Sequence, residues 1–140
     1  MNLIVKNLVK KKPIYVEKGT KALDAIRIMY ENNVGSLLIL DKGKLFGIFT
    51  ERDLLKAVAK KEDLNKPIEE FSTTKNLITI RENESFRKAA ELMAKHFIRH
   101  LIVVNGNNNP IGVVSIRDLI SESHLLSVLS KIEEEYTGGD

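Results

Sequence analysis

The sequence predicts a mixed α/β (α+β) fold made of two repeats related by a pseudo-two-fold, each running β-α-β-β-α and packed with the other as one module. Three observations carry that prediction. The chain matches itself at a nearly constant shift, each copy contains an uninterrupted apolar run of four, and apolar positions at helical spacing precede each run. Val16-Glu17-Lys18-Gly19 falls on Ile80-Arg81-Glu82-Asn83, 64 positions on from 16 to 80. At the same shift Ala25 meets Ala89, Met29 meets Met93, Val34 meets Ile98, and Leu37-Leu38-Ile39-Leu40 meets Leu101-Ile102-Val103-Val104. Gly47-Ile48-Phe49-Thr50-Glu51-Arg52-Asp53 lies over Gly112-Val113-Val114-Ser115-Ile116-Arg117-Asp118 one position later, from 47 to 112. The extra residue belongs to a hairpin turn, where Asp41-Lys42-Gly43 becomes Asn105-Gly106-Asn107-Asn108-Asn109. Turns absorb insertions at least cost.

The elements follow in order. A short first strand (Ile14 to Val16; Leu77 to Ile80) leads through a turn into a helix. Leu23, Ile26, Met29, Tyr30 and Asn33-Val34 follow helical spacing, with Lys21, Asp24, Arg27 and Glu31 mostly between them. In the second copy Phe86, Ala89, Ala90, Met93 and Phe97 lie on one side, against Arg87, Lys88, Glu91 and Lys95. Thr20 is the expected N-cap of the first helix, and Asn83 or Ser85 that of the second. The four-residue apolar runs are too short for helices and read as strands covered on both faces. A hairpin gives the third strand (Leu45 to Phe49; Ile111 to Val114), and a last helix closes each copy (Glu51 to about Lys60; Ile116 to about Ser123).

These elements divide the chain into residues 1–62 (first repeat with its lead-in), 63–75 (a linker containing Pro67), 76–123 (second repeat) and 124–140 (a C-terminal helix and tail). Leu125-Leu126, Val128-Leu129 and Ile132 have helical spacing and are expected to pack on the module or on a second subunit. A unit of about 60 residues is marginal alone, so the two repeats are expected to share a face.

Composition narrows the function. Cysteine is absent, which excludes disulfides, thiolate metal sites and cysteine nucleophiles and suits a reducing compartment; the cytoplasm is the expected location. No apolar run is long enough to span a bilayer, and Lys6 interrupts any signal-peptide core, so no membrane partner is expected. The formal charge is only +3, and the dense basic clusters, Lys10-Lys11-Lys12 and Lys60-Lys61, read as solvated segments. With no tryptophan there is little material for stacking bases, and a nucleic-acid partner is not expected. His96 and His100 are four apart, but one ends a helix and the other begins a strand, so no metal site is expected. Ser115, His100 and Asp118 are the one candidate triad, and Ser115 lacks the strained Gly-x-Ser-x-Gly turn that exposes a nucleophile. No phosphate-cradling glycine loop occurs. Neither a catalytic residue nor a catalytic cofactor is expected: the chain does not read as an enzyme.

What recurs is Thr50-Glu51-Arg52-Asp53 and Ser115-Ile116-Arg117-Asp118, each where the third strand meets the last helix. One reading is a capping box, in which the acid answers the backbone N–H of the N-cap. The other is a ligand site, because free N–H groups of a first helical turn favour anions and a carboxylate beside them can hold a vicinal diol. The two are compatible. Gly47 and Gly112, three residues before the hydroxyl, mark close backbone access in each copy.

The duplicated unit, closed in each copy by Gly-h-h-[Thr/Ser]-x-x-Asp, resembles a tandem pair of CBS domains, or Bateman module; Arg99-His100-Leu101-Ile102-Val103-Val104 resembles that family's second strand. The resemblance spans roughly Val5 to Ser123. It implies a regulatory module that binds AMP, ADP, ATP or S-adenosylmethionine as a regulatory ligand in clefts between the repeats. It assigns Asp53 and Asp118 to the ribose hydroxyls, Thr50 and Ser115 to ribose or phosphate, and Arg99 and His100 to phosphate. Arg52 and Arg117 are further phosphate candidates, against a solvated reading. Ile14, Tyr15, Val16, Ile78, Thr79 and Ile80 would meet the adenine. Opposite Arg99-His100 the first copy has Gly35-Ser36, so the two clefts should be unequal. With no enzyme, channel or transporter segment in the chain, the expected output is in trans, through an effector protein. The resemblance also implies a homodimer, for which Leu54, Val58, Leu119, Ile120 and Leu125 are the candidate interface. The competing reading is a ligand-free dimerisation or scaffolding module.

Overall fold

The computed structural model describes residues 3–121 and 131–134. It contains two three-stranded sheets of identical topology. In the first, β1 (Tyr15–Glu17) pairs in parallel with β2 (Ser36–Asp41), which pairs antiparallel with β3 (Lys44–Thr50). In the second, β4 (Thr79–Arg81), β5 (His100–Val104) and β6 (Pro110–Ser115) repeat the arrangement. Even the irregularity recurs: the ladder shifts register between Ile39 and Leu40 and between Val103 and Val104. Helix α1 (Ala22–Glu31) links β1 to β2, α3 (Phe86–His96) links β4 to β5, and α2 (Glu51–Ala59) and α4 (Ile116–Ser121) follow the third strands. Each repeat is therefore β-α-β-β-α, as the periodicity predicts.

The apolar runs lie in β2 and β5 because both faces of these strands are covered. Leu37 and Ile39 pack with Val16, Ala22, Ala25, Met29 and Phe49 into the core of the first copy. Between them, Leu38 turns the other way and meets Ile102 and Val104 of the second sheet, with Leu45, Ile48, Leu77 and Val113 around them. Leu101 and Val103 pack with Ile80, Ala89, Met93, Val114 and Leu119 into the second core. The two sheets thus share an apolar joint, and the helices cover their outer faces.

The segments before β1 and β4 add a second tie. Residues Val5–Leu8 form a 3₁₀ turn that packs not on the first copy but on the second, where Val5 is fully buried and Leu8 nearly so. Residues Ile68–Phe71 form the equivalent turn, and Ile68 is fully buried in the core of the first copy. Val5 N donates to Glu84 O at 2.8 Å and Phe86 N to Leu3 O at 3.0 Å; Ile68 N donates to Thr20 O at 2.7 Å and Ala22 N to Lys66 O at 2.9 Å. Each lead-in is laced to the helix start of the opposite repeat. Residues 63–75 are consequently part of the first copy's core as well as a connection between copies. Burying Val5 and Ile68 contributes about 1.5–3 kcal/mol each.

The recurring glycines have their reason here. A Cβ on Gly47 would lie 2.7 Å from Thr73 O, and one on Gly112 would lie 2.6 Å from Val9 Cγ1. Each lead-in runs across the third strand of the opposite copy at the one position without a side chain. The close approach that Gly47 and Gly112 permit is by the chain itself.

Three local expectations are corrected. Thr20 does not cap α1: the N-cap is Lys21, and the Thr20 hydroxyl donates to Glu17 O at 2.7 Å, closing the preceding turn. Phe97 is not on the buried stripe of α3; it is the C-cap, in the left-handed conformation (φ 54°, ψ 40°), and is 83% exposed. The proposed dimer stripe is divided, because Leu54 packs against the first core and Leu119 is buried in the second, while Val58 and Ile120 are exposed. Ser85, of the two candidates, caps α3, accepting from Lys88 N at 3.0 Å. Residues 131–134 are helical; Leu125, Leu126, Val128 and Leu129 lie outside the described residues.

Gly112→Ala should destabilise the fold by about 1–3 kcal/mol, as overpacking does. Because the clash is with a side chain, a double-mutant cycle with Val9→Ala by chemical denaturation should show the pair costing less than the sum of the two single changes. Strict additivity would show that Gly112 does not accommodate the lead-in.

Candidate functional site

Where the two repeats meet, the structure leaves a cleft of about 400 Å³. The first copy supplies Ile48 and Thr50 from β3 and Glu51, Arg52 and Leu55 from α2. The approach to β4 supplies Asn76, Leu77 and Ile78, and the second copy supplies Phe97, Ile98, Arg99, His100 and Ile102. Its walls are apolar and its polar groups converge from both copies, the usual make-up of a small-molecule site.

Thr50 and Asp53 are held by the capping box that the sequence suggests. Thr50 N donates to Asp53 Oδ2 at 3.0 Å, and the Thr50 hydroxyl reaches the same oxygen at 3.4 Å. The equivalent pair is tighter: Ser115 N donates to Asp118 Oδ2 at 2.7 Å, and Asp118 N donates to Ser115 Oγ at 3.2 Å. Burial pushes the Asp53 carboxyl above its ordinary value, against the opposing pull of the Thr50 backbone and hydroxyl bonds and of Lys56 and Arg52. Asp53 is thus a partly desolvated acceptor one residue-pair removed from the cleft wall.

Of the residues singled out from the sequence, the structure brings Thr50, Arg52, Ile78, Arg99 and His100 into this cleft, with Asp53 bonded behind Thr50. Ser115, Arg117, Asp118, Ile14 and Tyr15 lie outside it. Val16 and Ile80 are buried in the cores of their own copies and do not line this cleft. Thr79 borders a separate depression of about 280 Å³ with Arg81 and Lys88.

His100 lies where the second copy meets the equivalent segment of the first. It pairs with Ser115 across β5–β6, and its Nε2 lies 3.4 Å from where a Cβ on Gly35 would be; Glu51 Oε1 lies 2.8 Å from the same point. Gly35, the residue equivalent to Arg99, therefore makes room for a carboxylate and an imidazole to approach. Its carbonyl also accepts from Glu51 N at 3.0 Å, just as Arg99 O accepts from Ile116 N at 2.9 Å. Burial lowers the His100 pKa from its ordinary value, outweighing the upward pull of Glu51 and Asp118, and Arg99 adds to the lowering. This favours the neutral imidazole.

Several lining residues are not singled out by the sequence, Leu55 and Phe97 among them. Leu55 is 71% exposed beside the cleft. Phe97 occupies the left-handed C-cap, which costs a residue with a Cβ about 1–2 kcal/mol. Its carbonyl accepts from Arg52 Nη1 at 3.4 Å, so the first turn of α2 and the end of α3 meet across the cleft.

Since folded His100 takes up a proton at lower pH than the unfolded chain does, stability should fall as pH drops from about 7 through His100's ordinary value of 6.5. Denaturation midpoints between pH 5 and 7.5 should show this slope reduced in His100→Asn. An unchanged slope in the variant would show that His100 is not the buried neutral group.

Comparison with known proteins agrees with this fold. A family model described as CBS domain matches residues 5–60 and 68–125. Over 92% of this chain and 99% of its own, a CBS domain protein from Pyrobaculum aerophilum complexed with AMP superposes with a TM-score of 0.83 at 30% identity. The CBS domain pair of protein MJ0100, in complex with methylthioadenosine and S-adenosylmethionine, superposes with a TM-score of 0.77 at 33% identity, covering 85% of this chain and 94% of that one. By sequence, an uncharacterised 17.7 kDa protein of Acidianus ambivalens is 36% identical over 108 residues, which is 76% of this chain and 65% of that protein. Inosine-5'-monophosphate dehydrogenase of Aquifex aeolicus is 34% identical over 109 residues, 77% of this chain but 22% of the enzyme. The chain therefore spans less than two thirds of the length of these two relatives. With two matched repeats, two like sheets and a cleft between them, the chain belongs to the CBS domain family as a tandem pair.

Proposed function

We propose that this CBS pair is a regulatory module that binds an adenosine-containing ligand in the cleft between Thr50, Ile78 and Arg99. The observation that carries the reading is the meeting of unlike groups across one cavity. The Thr50 hydroxyl lines it from the first copy, with the partly desolvated Asp53 carboxylate bonded behind it, and Arg99 and His100 line it from the second. Asp53 Oδ2 is engaged by Thr50, which leaves Oδ1 as the oxygen for a ribose diol. Arg99, with Arg52, supplies the positive charge for phosphate. Ile78, Ile98 and Leu55 offer apolar surface to the purine. The two similar proteins solved with AMP and with methylthioadenosine and S-adenosylmethionine support this class of ligand.

The signal would pass to an effector protein in trans, within the cytoplasm. Exposed Val58 and Ile120 support self-association as a route for it. Thr50 and Arg99 belong to opposite copies, so a ligand bridging them would change the relative packing of the copies. A scaffolding module without a ligand would need neither the cleft nor its converging charges.

Calorimetric titration with AMP, ATP, S-adenosylmethionine and methylthioadenosine should show saturable binding of at least one of them. Asp53→Ala should weaken it about ten- to a hundredfold, the loss expected for a charged hydrogen-bond acceptor. No heat with any of the four, together with a melting temperature that depends on protein concentration, would favour the scaffolding reading.

A further inference from the structure

We infer that Phe97 is the residue that makes this cleft selective for an aromatic base, by stacking against the purine of the ligand; the inference rests on the reading of the cleft just given and deepens it. Phe97 stands on the cavity lining, 83% exposed, in a chain whose other phenylalanines are buried or half-buried. It also stands where a phenylalanine is locally unfavourable. The C-cap of α3 is left-handed (φ 54°), a conformation suited to glycine or asparagine. The equivalent position of the first copy holds Asn33 at φ 52°, the residue type that backbone favours. The second copy thus keeps the backbone and replaces the ordinary occupant with an exposed aromatic ring that no core contact repays.

Exposed rings at conformationally costly positions are explained by what they touch when a partner is present. The Arg52 bond to the Phe97 carbonyl fixes this residue's backbone relative to α2, on the far side of the cleft. Ring and cleft are therefore held together before any ligand enters. Because Asn33 stands in the other copy, the preference for a base is confined to this cleft.

The test uses two substitutions in the whole chain. Phe97→Asn installs the residue already tolerated at the same conformation in the first copy, so folding should survive and thermal stability should hold or rise. It should weaken AMP binding about tenfold, within the range that base stacking on an aromatic contributes, while leaving ribose 5-phosphate, which has no base, unaffected. Phe97→Trp supplies the only tryptophan, since the chain has none, and AMP but not ribose 5-phosphate should quench its fluorescence. AMP binding that is unchanged in Phe97→Asn and leaves the Phe97→Trp fluorescence untouched would overturn the stacking role and leave the ligand reading intact. An equal loss for AMP and ribose 5-phosphate would likewise overturn base selectivity. Absence of AMP binding by the wild-type chain would overturn the ligand reading itself.

Discussion

Each repeat lends the other its first turn, and the rest of the structure depends on that exchange. A unit of about 60 residues buries too little surface to be secure alone. Here the second core is completed by Val5 and Leu8 from the start of the chain, and the first by Ile68 from the segment between repeats. Together with the Leu38–Ile102 joint between sheets, the exchange makes the two copies one cooperative body. It also fixes the cleft: the segment that descends from the second turn passes over Gly47, bonds Ile48 through Thr73 in both directions at 3.0 Å, and then delivers Asn76, Leu77 and Ile78 to the cleft wall. Stability and site geometry have a common origin.

On this symmetric frame the cleft's chemistry is asymmetric. Gly35 and Ser36 in one copy stand against Arg99 and His100 in the other, and Asn33 stands against Phe97. The small residues are as necessary as the large ones, since Gly35 leaves the space in which Glu51 and His100 come together. A duplicated fold gives two equivalent positions for each role. Divergence at these three pairs then lets one position provide room and the other provide charge and aromatic surface.

The parts of this design that were legible in the sequence are those with a period or a fixed spacing. The runs Leu37–Leu40 and Leu101–Val104 announced strands covered on both faces because alternate residues serve two different cores. Thr50 with Asp53 and Ser115 with Asp118 announced caps because the bonding needs that three-residue interval. The crossed lead-ins were not legible, because a single 3₁₀ turn has no periodicity and Val5 finds its partners near Glu84, far along the chain. Thr20 reads as a cap but closes a turn, because its hydroxyl serves equally well there, bonding Glu17 O. Phe97 continued the apolar stripe of α3 by spacing, and only the left-handed backbone at that residue turns it away from the core and toward the cleft. Val16 and Ile80 lie in strands as the pattern predicts, but the face they present is set by the core.

A crystal structure of the chain with AMP tests the central claim most directly. The account predicts adenosine density in the cleft between Thr50, Ile78 and Arg99, with the ribose toward Asp53 and the phosphate toward Arg99 and His100. AMP bound elsewhere on the molecule with that cleft empty, or no AMP at saturating concentration, would contradict it.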